Sequence, residues 1–388
     1  MKKISILLAV LAISLIGCSS DGGDSVSDGS LSEGIPSGGE NPGGNGEAGT
    51  ITAGEWNDLS NWNFWQNLKQ NQEYSEMEAY WSFNTANRIT VVVTTANGQP
   101  VIDVPVVLKK GSTILFSAKT DNKGIAELWQ DLNGPNQNRD AAASGIVLDI
   151  NNGQKTVSEV KYFLEGINEV TLPQAAAPDN KIEIAFVVDA TGSMGDELEY
   201  LKTELYDVIG RVKDDNPQAS IATSSVFYRD EGDNYLTRIS GFSNTVSTTI
   251  NFIKQQSADG GGDFPEAVHT ALDKAVSELQ WSSSARTRIL FLMLDAPPHY
   301  NPEVILKLHQ SILKAAEMGI KVIPVTASGI NKETEFLMRF FSITTNGSYV
   351  FITDDSGVGN DHLEPTVGDY QVEFLNNLMV RLINKYAE

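Results

Sequence analysis

The sequence predicts a small all-β sandwich followed by an α/β unit built on a doubly wound, mostly parallel sheet. Three observations carry this. From Lys181 onward, short apolar runs alternate with helical stretches. Between residues 84 and 174, β-branched runs are separated by turn residues. Before residue 51, after the first apolar run, apolar side chains almost vanish. With 388 residues, 41% of them hydrophobic, the chain can bury more than one core.

The elements follow in order. Lys2 and Lys3 precede an apolar run from Ile4 to Ile16. That run is shorter than the roughly 20 residues needed to span a bilayer, so residues 1–17 read as a signal peptide. It ends in Leu15-Ile16-Gly17-Cys18, which resembles the bacterial lipobox. The resemblance implies cleavage before Cys18 and lipidation of that residue. Each buried acyl CH₂ contributes about 0.8 kcal/mol, enough for several chains to anchor a protein. Ser19 and Ser20 are similar to sorting signals that direct lipoproteins to the outer membrane of the cell envelope. Cys18 is the only cysteine, so a disulfide within one chain is impossible.

Residues 18–50, rich in Gly, Ser, Asp, Glu, Asn and Pro, read as a disordered tether. Residues 51–83 then crowd in Trp56, Trp62, Phe64, Trp65, Tyr74, Tyr80, Trp81 and Phe83. These rings are expected to cover one edge of the next unit; the alternative is an exposed aromatic platform for a glycan or peptide.

Across 84–174, strands are expected at Ile89 to Val93, Val101 to Leu108, Thr113 to Ala118, Ile125 to Trp129, Gly145 to Ile150 and Glu165 to Leu172. The stretch NGQPVIDVPVVLKKG with the later AKTDNKGIAEL is similar to immunoglobulin-like and carboxypeptidase-regulatory-like modules of secreted bacterial proteins.

The second unit, 181–388, opens on the buried run Ile182 to Val188 and a helix Met194 to Val212. Strands Ser220 to Tyr228 and Tyr235 to Phe242 follow, then helices Thr245 to Gln256 and Pro265 to Gln280. A strand Arg288 to Leu294, a helix Pro302 to Met318 and a strand Lys321 to Thr326 come next. A helix Lys332 to Phe341, a strand Ser348 to Ile352 and a terminal helix from about Gly368 to Tyr386 end the chain.

In an open parallel sheet, ligands bind beyond the carboxyl ends of the strands, where strand order reverses. Three loops are expected there: Asp189-Ala190-Thr191-Gly192-Ser193, Gly260-Gly261-Gly262-Asp263-Phe264-Pro265-Glu266, and Asp295-Ala296-Pro297-Pro298-His299. Oxygens spaced at Asp189, Thr191 and Ser193 suit a hard cation. The run VVDATGSM resembles the metal-ion-dependent adhesion site of von Willebrand factor A (VWA) domains. Asp189, Thr191 and Ser193 match that family's first loop and Asp295 its third. Asp263 stands where many members have a threonine. The resemblance implies a site for Mg²⁺, with Mn²⁺ or Ca²⁺ possible, that binds a protein or extracellular-matrix ligand. The extra carboxylate of Asp263 puts an acidic partner ligand in question.

With 50 acidic residues against 28 basic and a net charge of -22, the chain repels nucleic-acid phosphates and anionic head groups. Enzyme readings fare poorly. Thr191 breaks a Gly-x-Ser-x-Gly elbow around Ser193, a Ser193–His299 triad is the sole nucleophile pairing to weigh, and residues 260–262 lack a P-loop ending. The sequence therefore reads as a lipid-anchored binding module. An envelope-assembly subunit with a structural metal is the alternative, and a hydrolase in the same cleft comes third.

Overall fold

The structure, a computed structural model, describes residues 48–133, 145–173, 177–357, 359 and 361–388. Cys18, the signal peptide and the tether as far as residue 47 lie outside the described residues. Among the described residues no helix is long and apolar enough to cross a membrane.

The α/β unit is a mixed sheet between helices. In chain order the strands that build it are β1 (Thr52–Trp56), β9 (Lys181–Asp189), β10 (Ser220–Tyr228), β11 (Thr237–Ser243), β12 (Thr287–Leu294), β13 (Ile320–Thr326), β14 (Tyr349–Ile352) and β15 (Glu373–Phe374). Their spatial order is β11-β10-β9-β12-β13-β14-β1-β15. Strands β10, β9, β12, β13 and β14 are mutually parallel. From β9 the chain steps to β10 on one side and later to β12 on the other, which makes the β9/β12 junction the switch point of the sheet.

Alternation along the buried strands divides the core. Ile182, Ile184, Phe186 and Val188 face one layer with Ile289, Phe291 and Met293. Helices α3 (Gly195–Asp215), α4 (Val246–Lys254) and α8 (Leu375–Ala387) cover this face through Leu198, Leu205, Ile250 and Leu382. Ala185, Val187, Leu290 and Leu292 face the opposite layer, under α5 (Val268–Ser277), α6 (Pro302–Met318) and α7 (Lys332–Thr344). Helix α6 starts as the Asn301-Pro302 pair dictates. The Asn301 side chain accepts from the N–H groups of Glu303 and Val304, and Pro302 needs no partner in the first turn.

The sandwich matches expectation in its main strands. One sheet joins β5 (Ile125–Trp129), β2 (Arg88–Thr95) and β8 (Asn168–Leu172), and the other β4 (Thr113–Lys119), β3 (Pro105–Lys110), β6 (Ile146–Ile150) and β7 (Lys155–Val157). Strand β3 begins later than the expected Val101, because Asp103 turns the chain at φ 61°. The turned Asp103 carboxylate meets Arg288 of β12 at 2.8 Å, and Asp121 meets the buried Lys321 of β13 at 3.5 Å. The sandwich is thereby ion-paired to the amino end of the large sheet.

The aromatic segment differs most from expectation. Its first residues form β1, an interior strand of the α/β sheet, antiparallel to β14 and β15. Helices α1 (Trp62–Leu68) and α2 (Gln72–Tyr80) follow. Trp62 packs on Trp129 of the sandwich, while Trp65 stacks on Phe336 of α7 at 5.2 Å. Trp56, Trp62, Trp65 and Trp81 are all buried, so they form a core wedged between both units and no exposed platform. The terminal helix starts at Leu375 and not at Gly368, the intervening residues being spent on a loop and β15.

Candidate metal centre

Asp189 is the last residue of β9 and is fully buried. Its Oδ1 accepts from the Thr191 N–H at 2.9 Å and from the Thr191 hydroxyl at 2.8 Å. Its Oδ2 has no hydrogen-bond partner. Thr191 and Ser193 bring their hydroxyls within 3.4 Å of each other across a single 3₁₀ turn, Gly192–Met194. Neither that turn nor α3 has a side-chain cap, so Asp189 and Ser193 are not spent as helix caps.

Asp295 follows β12 directly, beside the β9 end, and is likewise buried with Oδ1 unpartnered. Burial raises both carboxyls above the ordinary carboxylate range. The Asp295 charge lifts Asp189 further, while the two Thr191 bonds and the Tyr228 hydroxyl oppose the rise. At Asp295, the Ser193 hydroxyl opposes the burial effect and the charge of Glu197 adds to it. Asp189, Thr191, Ser193 and Asp295 thus form one group at the switch point of the sheet.

The second loop behaves otherwise than its sequence suggests. Asp263 is exposed, with no hydrogen bond to the group. The carboxylate that arrives is Glu266, 3% exposed, with Oε2 unpartnered. Its N–H donates to the Pro297 carbonyl at 2.8 Å, which ties the second loop to the third. Gly261, at φ 69°, lies between Glu266 and Thr191: a Cβ there would stand 2.9 Å from Glu266 Oε1 and 3.2 Å from Thr191 Cβ. Burial pushes the Glu266 carboxyl up to about 9, with Asp189, Asp230, Asp295 and Asp233 adding to it in that order. By spacing alone, the motif position is filled by Asp263 and not by Glu266. The available signal was its place between Pro265 and Ala267, immediately before an apolar helix.

The loops hold one another. Gly192 N–H donates to the Gly260 carbonyl at 3.1 Å, and Asp259 N–H to the Ala190 carbonyl at 3.1 Å. A side chain at Gly192 would press on that Gly260 carbonyl, its Cβ 3.0 Å away. Arg229, buried, donates from Nη2 to the Ser257 carbonyl at 2.8 Å. His299 pairs with Asp230 at 2.6 Å, which takes it away from the weighed pairing with Ser193.

Among the described residues, no three His, Cys, Asp or Glu side chains are grouped so as to hold a metal ion by themselves. The group here offers two carboxylates and two hydroxyls, a hard-oxygen set whose hydroxyl members lie outside that class. Two buried carboxylate oxygens without donors fit a cation, since an unpaired buried carboxylate is costly.

Residues 183–357 match the family model for the von Willebrand factor A domain. Two curated relatives are similar over part of their length. One is the ariadne-like RING finger protein R811 of Acanthamoeba polyphaga mimivirus, 34% identical over 119 residues, or 31% of this chain. The other is the alpha-protein kinase vwkA of Dictyostelium discoideum, 29% identical over 120 residues, or 30% of this chain. The matched stretch spans only 11% and 19% of those two proteins. Among solved structures, the conserved hypothetical protein BatB from Bacteroides thetaiotaomicron aligns over 53% of this chain and 98% of its own. Its TM-score is 0.37, with 15% sequence identity.

Proposed function

We propose that the chain, whose residues 183–357 form a von Willebrand factor A domain, binds a protein partner through a divalent cation held by Asp189, Thr191, Ser193 and Asp295. VWA domains in general mediate protein–protein interactions. The observation that carries the metal reading is the pair of buried oxygens, Asp189 Oδ2 and Asp295 Oδ1, that meet no donor at hydrogen-bond distance among the described residues and lie at the ends of adjacent strands.

The all-oxygen set suits Mg²⁺, with Mn²⁺ and Ca²⁺ as alternatives. When bound, the ion supplies a positive centre that neutralises the buried carboxylates and fixes the first and third loops together. Thr191 orients Asp189 by its two hydrogen bonds, and Ser193 orients Asp295. Glu266 flanks the centre in the role the sequence assigned to Asp263. Ser193 lies by Asp295 while His299 is held by Asp230, an arrangement that supports binding rather than catalysis. In this proposal the domain works from the cell envelope, anchored at the outer membrane through lipid on Cys18.

Titration calorimetry with Mg²⁺, on the chain and on its Asp189→Ala and Asp295→Ala variants, tests the centre. Binding to the parent that both variants lose is expected; equal affinity in all three would overturn the assignment.

A further inference from the structure

We infer that the surface around this centre receives a cationic, Lys- or Arg-bearing segment of a protein partner, and not an acidic one. The inference rests on the metal-centre reading above and names the chemistry of what docks there.

Charge within the centre argues first. Asp189, Asp295 and Glu266 are all buried, and each has a carboxylate oxygen that no donor meets. A partner carboxylate would enter among these buried acidic side chains, where like charges repel strongly.

The rim argues in the same direction. Glu231, Asp259 and Asp263 are exposed around the loops, and Asp233 is half-buried beneath them. Asp259 stands against the first loop through its N–H bond to Ala190, and Asp233 against the second through its bond from Gly261 N–H at 2.9 Å.

The nearby cations are already committed. Arg229 donates to the carbonyls of Ala190 and Ser257 and pairs with Asp259 at 3.4 Å. Arg238 lies over the Tyr235 ring, and Lys307 pairs with Asp273. Each of these three cations already has a partner.

Two exposed rings complete the surface. Phe264 sits in the second loop, and Tyr300 follows the third. Tyr300 stacks on Tyr80 at 3.9 Å and donates its hydroxyl to the Tyr80 carbonyl at 3.1 Å, so one face is fixed while half of the residue stays exposed. Such rings accept the aliphatic stem or the charged head of Lys and Arg.

The test uses the full chain in Mg²⁺ with two labelled synthetic peptides, one of alternating Gly and Arg and one of alternating Gly and Glu. The arginine peptide is expected to bind, and Asp259→Asn with Asp263→Asn is expected to weaken it by about tenfold. Phe264→Ala weakens it as well. Asp214→Asn with Glu159→Gln removes the same charge far from the loops and leaves binding unchanged. The inference is overturned if the glutamate peptide binds in a Mg²⁺-dependent way, or if the rim pair and the distant pair act alike. Mg²⁺ calorimetry on the same samples reads the metal centre separately, so a failure there is distinguishable from a failure of the peptide preference.

Discussion

Arg229 donates from Nε to the carbonyl of Ala190 at 3.1 Å, bracing from the side the residue that follows Asp189. The same guanidinium reaches the Ser257 carbonyl, so a single buried cation sets the spacing of the first and second loops. Replacing Arg229 with Met takes its donors from the Ser257 and Ala190 carbonyls, of which Ala190 keeps only the Asp259 N–H. We expect a loss of about 2–4 kcal/mol in stability and about tenfold in Mg²⁺ affinity, read by urea unfolding and calorimetry. A loss of stability with metal affinity intact would separate the brace from the site.

Glu266 is buried beside the first loop, whereas Asp263 is exposed. With its carboxyl raised to about 9, Glu266 holds its proton at neutral pH in the metal-free protein. Glu266→Gln removes the proton that folding must take up, so it should raise the metal-free urea midpoint at neutral pH while lowering Mg²⁺ affinity by roughly three- to tenfold, as a lost nearby charge would. Asp263→Asn should leave both measurements unchanged. The reverse order of effects would restore Asp263 to the centre.

Stability should fall with pH in the metal-free protein above neutrality. A carboxyl whose folded pKa is raised holds its proton more tightly folded than unfolded. Its contribution is full below the ordinary carboxylate range and is lost as pH rises through the folded value, about 9 for Glu266. His269 and His309, kept neutral by burial, act in the opposite sense at acid pH, so the comparison belongs between about pH 7 and 9. Urea midpoints should drop across that window, and Mg²⁺ should recover most of the drop by binding the ionised forms. A metal-free midpoint that rises would contradict the arrangement.

Asp58 and Arg339 meet at 2.6 Å with neither side chain exposed, and Arg339 also lies over the Trp65 ring. The pair bolts the aromatic segment to α7. Asp58→Ala leaves the buried guanidinium only Glu335, at 3.4 Å, and the Thr366 carbonyl, and should cost about 3 kcal/mol in urea unfolding. A cost under about 1 kcal/mol would make residues 51–83 a loose cover and not part of the α/β core.

Much of the α/β unit was legible because its signals are local. The apolar run Ile182 to Val188 allows little besides a buried strand, and Asn301-Pro302 marks where α6 begins. The first and third loops were legible too, since a fixed spacing of oxygen-bearing residues follows a recognisable strand. Strand β1 was not. Thr52–Trp56 is short and is defined by β14 and β15, which lie about 300 residues or more away in sequence. Glu266 was hidden for a similar reason: only the contact of its backbone with Pro297 in the third loop brings the side chain inward. Asp103 shows the same limit, because nothing near it in sequence reveals that Arg288 will be its partner.

Strand β1 enters the sheet at the same edge that carries Asp189 and Asp295, with Ala53 opposite Ile352 at the carboxyl end of β14. Just before it, the N–H groups of Gly49, Thr50 and Ile51 all point to Glu204 Oε1, at 2.8, 3.0 and 3.4 Å. Tension drawn through the chain ahead of Gly49 and away from that edge therefore runs along the strand axis. It loads the ladders to β14 and β15 in shear, so their bonds must yield together instead of peeling singly. Pulled at Gly49 along that axis, the sheet would hold β1 by all of its ladder bonds at once.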